Sequence, residues 1–229
     1  MATDVVLLGT VALDPNRWGT VTGRREATIL LSPWLEVIDR AGFDGLEVWE
    51  PHLSDAGPAE RAALLSGPLP TTIVNGYAAF DDTAHLAVIA DLVRASGAVG
   101  VKANTGGDPA LLDREAAAAA AWLGALPDDV RLLLECHEGT AVADDHDAAA
   151  RFLAAAGPAH RVQAIVHTHE VADRVRARFD AYGDRITHVH VNHLDAGGAP
   201  ALADVADLAD RIARLRSLGF AGSWTIEFV

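Results

Sequence analysis

Four apolar runs in the second half of the chain each end in residues able to bind a divalent cation or carry a proton. Leu132-Leu-Leu ends in Glu135, Ala164-Ile-Val in His167, His188-Val in His190, and Trp224-Thr-Ile in Glu227. A carboxylate at the end of a buried run is costly unless it is paired or bound to a cation. Two carboxylates and two imidazoles from neighbouring strands would together neutralise and coordinate one divalent metal. Glu135, His167, His190 and Glu227 are the choice of one ligand per strand. The His-x-His pairs share a strand face, so His169 and His188 are second choices. Taken singly, each histidine is more often a hydrogen-bonded core residue than a ligand. The order Glu, His, His, Glu across consecutive runs reverses that expectation. Six of the ten histidines lie at the ends of these runs.

The elements that must position them alternate along the whole chain. Strand candidates are Val5–Leu8, Gly45–Trp49, Thr71–Asn75, Val99–Ala103, Arg131–Cys136, Gln163–Thr168, Ile186–Asn192 and Trp224–Phe228. Several are continuous apolar runs, as parallel strands buried on both faces require. Helical spacing fills the gaps: a first helix from Ser32 as N-cap and Pro33 as first position to Gly42, then Ala56–Leu65, Asp82–Ser96, Pro109–Leu126, Asp145–Ala155, Val171–Tyr182 and Ala201–Leu218. Eight strands alternating with helices imply an α/β fold, a closed (β/α)8 TIM barrel formed by residues 1–229 as one domain. An open doubly wound sheet would carry a glycine fingerprint after its first strand, where Gly9-Thr-Val-Ala-Leu-Asp-Pro15 stands instead. The last strand reaches the end of the sequence, so the barrel is expected to lack its final helix. The outer face of strand eight then needs cover from the N-terminal segment, from a second copy in a homo-oligomer or from a partner subunit.

Composition narrows the class further. Half of the 229 residues are hydrophobic, enough for a sizeable core, and 18 Lys and Arg against 32 Asp and Glu give a net charge of −14. Such a surface repels phosphate backbones and anionic lipid, which argues against nucleic acid or membrane as partner. The single Cys136 cannot form an internal disulfide, and neither a signal pattern nor a span of bilayer length occurs. The expectation is a cytoplasmic protein.

The short motifs resemble the xylose isomerase-like TIM-barrel superfamily of sugar isomerases and epimerases, which also contains endonuclease IV. Gly42-Phe-Asp-Gly-Leu-Glu47 is similar to its strand-two signature. Leu134-Glu-Cys-His-Glu-Gly139 resembles its strand-five Glu-Asn-His-x-Gly motif, Val189-His-Val191 its strand-seven metal histidine, and Trp224-Thr-Ile-Glu227 its terminal Ile-Glu motif. The resemblance implies a metal-dependent isomerase or epimerase acting on a sugar or related polyhydroxy carbonyl compound through an enediolate, with Glu135 and Glu227 as the catalytic base and acid. Two departures stand out. The family's strand-six Asp-x-x-His is replaced by His167 and Glu170, which gives a Glu2His2 site favouring Mn, Zn, Co or Fe over Mg. The ketose epimerases of the family carry an arginine shortly after the strand-seven histidine, and Leu194-Asp-Ala-Gly-Gly-Ala199 contains none. A lyase of the C-glycoside-deglycosylating type and a degenerate, non-catalytic barrel are the alternatives. Endonuclease activity is disfavoured, because no histidine follows His193 to complete a multinuclear zinc site.

Further substrate-binding candidates are Glu47, Trp49, His52, Lys102, His137 and His169. Glu47 and Trp49 share a strand face, where Trp49 could stack on a sugar ring or simply fill the barrel. His52, Lys102 and His137 stand at or beyond strand ends, and His137 belongs to the strand-five motif. Arg17, Arg24 and Arg25 lie on the long segment after strand one, expected as solvated charges on a loop able to cover the site.

Overall fold

The computed structural model describes residues 4–136, 141–193 and 204–228. Eight strands, β1 (Val6–Gly9), β2 (Gly45–Trp49), β3 (Thr71–Asn75), β4 (Gly100–Ala103), β5 (Arg131–Glu135), β6 (Val162–His167), β7 (Ile186–Asn192) and β8 (Ser223–Phe228), pair in sequence order. All pairs are parallel, and β8 closes on β1 through Val6 opposite Trp224 and Leu8 opposite Ile226. The TIM barrel expected from the alternation is the fold, and the strands fall within one residue of their sequence-derived bounds.

The helices are α1 (Leu35–Arg40), α2 (Pro51–Ser54), α3 (Pro58–Ser66), α4 (Thr83–Ser96), α5 (Leu112–Leu123), α6 (His146–Ala156), α7 (Ala172–Tyr182) and α8 (Val205–Ser217). Eight arise because the β2–β3 connection holds two, whereas none follows β8 among the described residues. None of the described helices is long and apolar enough to cross a membrane. Aspartates start three of them: Asp82 accepts from His85 N, Asp145 from Ala148 N, and Asp204 from Ala206 N. Gly97 ends α4 in the left-handed region at φ 67°. The first helix departs from expectation. Ser32–Trp34 forms a 3-10 turn, and Ser32 caps nothing, because its N–H and hydroxyl both donate to the Glu60 carboxylate. An ionised acceptor outcompetes a weak cap.

Strand periodicity sorts the interior into layers. Leu7, Ile73, Leu133 and Ile165 form an apolar plug low in the barrel. Two residues further on, the same inward register carries Asn75, Glu135 and His167. Glu47, Lys102, His188, His190, Asn192, Thr225 and Glu227 are buried with them. A bulge between Val191 and Asn192 pairs Val191 with Ile226 and Asn192 with Phe228, so Glu227 faces the irregularity. On the outer face of β8, Trp224 is covered from within the chain. Phe220 packs edge to face on it at 4.8 Å, and its Nε1 donates to Asp4.

Candidate metal centre

Three buried glutamates meet at the C-terminal end of the barrel. Glu135 from β5, His167 from β6, His190 from β7 and Glu227 from β8 place one ligand atom each within 4.8 Å of all the others. His167 Nε2 stands 3.3 Å from Glu135 Oε1, and His190 Nδ1 stands 3.4 Å from both Glu135 Oε1 and Glu227 Oε2. Those separations are long for hydrogen bonds between charged groups. They match the ligand–ligand edge of roughly 3.4 Å that tetrahedral bonds of about 2.1 Å generate.

Hydrogen bonds fix the ring tautomers. His190 Nε2 donates to Glu47 Oε2 at 3.0 Å, so in the neutral ring the lone pair of Nδ1 points at the two carboxylates. That atom is buried and makes no well-formed hydrogen bond among the described residues. Asn192 donates through Nδ2 to Glu227 Oε2 at 2.7 Å, which leaves its Oδ1 to accept from His167 Nδ1 at 3.1 Å. His167 Nε2 is therefore the nitrogen presented to Glu135. Carboxylate and amide partners behind imidazole ligands are the support that metal sites need.

A buried polar ring runs beneath the four ligands. Lys102 Nζ lies 2.7 Å from Glu135 Oε2 and donates to Asn75 Oδ1 at 3.2 Å. Asn75 donates to Glu47 Oε1 at 2.8 Å, and Glu47 returns to His190. Thr225 donates to Glu47 Oε2, and Asn104 donates to Glu135 Oε2 at 2.7 Å. Burial would raise Glu47, but His190 and His188 beside it hold its carboxyl well below the usual range. Burial would likewise raise Glu135, yet Lys102 and His167 hold it well below. His190 is shifted the other way: burial disfavours its charge, and Glu47 and Glu227 override burial to push it well above an ordinary histidine. With His190 neutral, as a metal ligand must be, three carboxylates against one ammonium leave two uncompensated negative charges in a site where none of these four groups is more than 5% exposed. One divalent cation cancels them, so the donor set fits a metal in geometry, tautomer and charge.

The other sequence candidates fall into place around this centre. Glu47 sits fully buried behind His190 and accepts from its Nε2. His188 joins Glu47 and His190 in a second group of three. Its ring is engaged by Ser223 Oγ at 2.7 Å and Thr225 Oγ1 at 2.8 Å, deeper in the barrel. His169 packs edge to face on His167 at 5.2 Å and belongs to neither group. Trp49 is buried and meets His52 edge-on at 5.3 Å. His52 has both nitrogens engaged, Nδ1 by Thr10 Oγ1 at 2.9 Å and Nε2 by Asp14 at 3.2 Å, and so ties the β1 loop to α2. Lys102 contacts Glu135 from below. His137 lies outside the described residues. Glu170, which stands where the family's histidine is expected, turns away to a two-pronged pair with buried Arg178 on α7, at 2.8 Å for both contacts. Burial pushes the Cys136 thiol up to about 12, only partly offset by Arg178, so it is no nucleophile.

Asn75, Asn104 and Asn192 are the residues that sequence reasoning missed. The signal was present, since each asparagine sits at or just past the end of an apolar strand, in line with the glutamates and histidines. A search for ionisable strand ends passes over amides, although amides are what orient the ionised groups.

No protein-family model matches the chain, and no curated protein matches it. Solved structures do. The probable 3-DHS dehydratase AsbF involved in petrobactin synthesis from Bacillus anthracis superposes with a TM-score of 0.70 at 13% identity, over 99% of this chain and 93% of that one. The 3-keto-D-glucoside 4-epimerase YcjR of E. coli gives 0.65 at 17%, over 99% and 92%. Endonuclease IV from Thermus thermophilus gives 0.59 at 17%, over 87% of each chain. These likenesses show the fold of this chain, a (β/α)8 TIM barrel.

Proposed function

We propose that the protein is a metal-dependent isomerase or epimerase that moves a proton on a carbon beside the carbonyl of a sugar or related polyhydroxy compound. The observation that carries this reading is the buried, doubly negative Glu2His2 centre at the catalytic end of the barrel. Glu135, His167, His190 and Glu227 would hold the ion. When bound, a divalent metal supplies Lewis acidity to the substrate carbonyl and steadies the negative charge that develops there.

The chain's own residues do the remainder. Glu135 and Glu227 enter from β5 and β8, on either side of the two histidines, so one can accept the proton from one face and the other return it to the opposite face. Lys102 and Asn104 fix Oε2 of Glu135, and Asn192 fixes Oε2 of Glu227, so neither carboxylate must reorganise during transfer. A polyhydroxy-compound library incubated in D2O tests the reading. Deuterium should enter the carbon beside the carbonyl of at least one member without bond cleavage. Glu227→Gln should bind metal yet lose this exchange by at least about three orders of magnitude, the scale of general-base catalysis combined with ligand loss. Undiminished exchange in that variant overturns the assignment.

A lyase reading shares the first step. Release of water or of an aglycone in the same assay would select it.

A further inference from the structure

Helix α1 and the turn before it present an apolar row to solvent. Leu31, Leu35 and Ile38 face the core, where they pack with Leu64 of α3 and with Leu69. One position earlier, at the same spacing, Leu30, Trp34 and Val37 are 60%, 55% and 49% exposed. Single apolar residues scattered over a surface are ordinary, whereas three in one row form a patch. Trp34 distinguishes this patch. Each of the other four tryptophans meets an aromatic ring, while Trp34 has neither a ring beside it nor a cation over it among the described residues.

Topology explains the exposure. Every connection from β1 to β8 contributes at least one helix to the outer ring, but none stands between β8 and β1 among the described residues. On one flank α1 is held by α3, whose Glu60 accepts from Leu31 and Ser32 N–H. On the β8 flank it has no described helix to pack against. A ring of eight helices buries both flanks of each member.

Charge selects the occupant. Glu36 stands in the first turn of α1 and Arg40 in the last, both exposed, 3.5 Å apart. An exposed pair of this kind contributes little on its own helix, so its members can re-pair at small cost. A helix acidic at its start and basic at its end is complementary to a reversed copy of itself. A two-fold axis across α1 would bring each Arg40 to the Glu36 carboxylate of the other copy and within reach of its Trp34 ring, with the two helix dipoles opposed. Two parallel copies would instead set Glu36 against Glu36.

We propose that α1 is a two-fold interface on which a second copy of this chain packs antiparallel, over Leu30, Trp34 and Val37. The interface is independent of the metal centre. Sedimentation velocity of the full chain tests it, from about 1 to about 200 µM. Salt at roughly 0.15 M screens the repulsion between two chains of net charge −14. Wild type should pass from monomer to dimer within that range, and Trp34→Ala should weaken association about tenfold or more. Glu36→Arg and Arg40→Glu should each weaken it by about as much, since each sets like charges together twice per interface. An equimolar mixture of these two variants should dimerise as well as wild type, because every Arg then faces a Glu. All three side chains are exposed, so circular dichroism should show the variants folded like wild type. A wild-type monomer throughout the range overturns the proposal and assigns the row to a different partner. A dimer that Trp34→Ala leaves intact, or charge variants that the mixture does not restore, also overturns it.

Discussion

Lys102 is fully enclosed with its charge against Glu135, and the pair explains how a doubly negative centre survives inside the barrel. Removing one member of a buried ion pair leaves the other uncompensated and costs about 3–5 kcal/mol. Lys102→Met should therefore lower the stability of the metal-free protein by that amount, and saturating Mn2+ should raise Tm more in the variant than in the wild type, because the cation then takes over the missing charge. Thermal unfolding with and without Mn2+ checks this, and an identical metal-induced rise in both proteins contradicts it. At this scale the cluster of Glu135, His167, His190 and Glu227 was legible from ionisable residues at strand ends. The roles of Glu47 and Lys102 were not, because parity says that a side chain points inward but not at which depth. Trp49 shows the same limit: its alternation with Glu47 put it on the inner face, and its packing on His52 put it out of solvent's reach.

The elements around the centre are tied by buried carboxylates of their own. Glu170 and Arg178 join the end of β6 to α7, with Tyr182 Oη a further partner of the guanidinium at 2.9 Å. Arg178→Met should cost about 3–5 kcal/mol in chemical denaturation while leaving Mn2+ stoichiometry intact. A loss of metal with no loss of stability would contradict a purely structural role. Glu170, where the sequence resemblance implies a histidine, pairs instead with Arg178, a residue eight positions on that no strand-end motif includes. The β1 loop is held the same way. Burial would raise Asp14, but N–H donors from Thr28 and Asn16 lower it. Burial would raise Glu60, but Ser32 and Leu31 lower it. Both folded values lie below the unfolded ones, so the stabilisation is complete above the unfolded carboxylate pKa near 4 and is lost as pH falls through the folded values. Proteolysis of the loop, followed from pH 6 downward, should accelerate below about pH 4 in wild type. In Asp14→Asn it should already be fast at pH 6. A flat wild-type profile contradicts this account. Ser32 illustrates why boundaries were less legible than cores: a distant glutamate, invisible to local pattern, decided what its hydroxyl bonds to.

Across the whole molecule, eight strands closing on one another give the candidate centre its rigidity, and its four residues come from four adjacent strands of that wall. The alternation of apolar runs and helical segments carried the fold, and the strands to within one residue, since a parallel strand buried on both faces leaves a strong pattern, whereas helix ends differ by up to four residues. The net charge of −14 and the clustered carboxylates of the candidate centre would both favour the approach of a divalent cation. The most direct test of this account is a titration of metal-stripped protein with Mn2+ and Zn2+, read by calorimetry and by metal analysis after gel filtration. One tightly bound ion per chain is expected, with binding abolished in Glu135→Ala and in His190→Ala while both variants remain folded. No bound ion under metal-replete conditions, or unchanged stoichiometry in both variants, contradicts it.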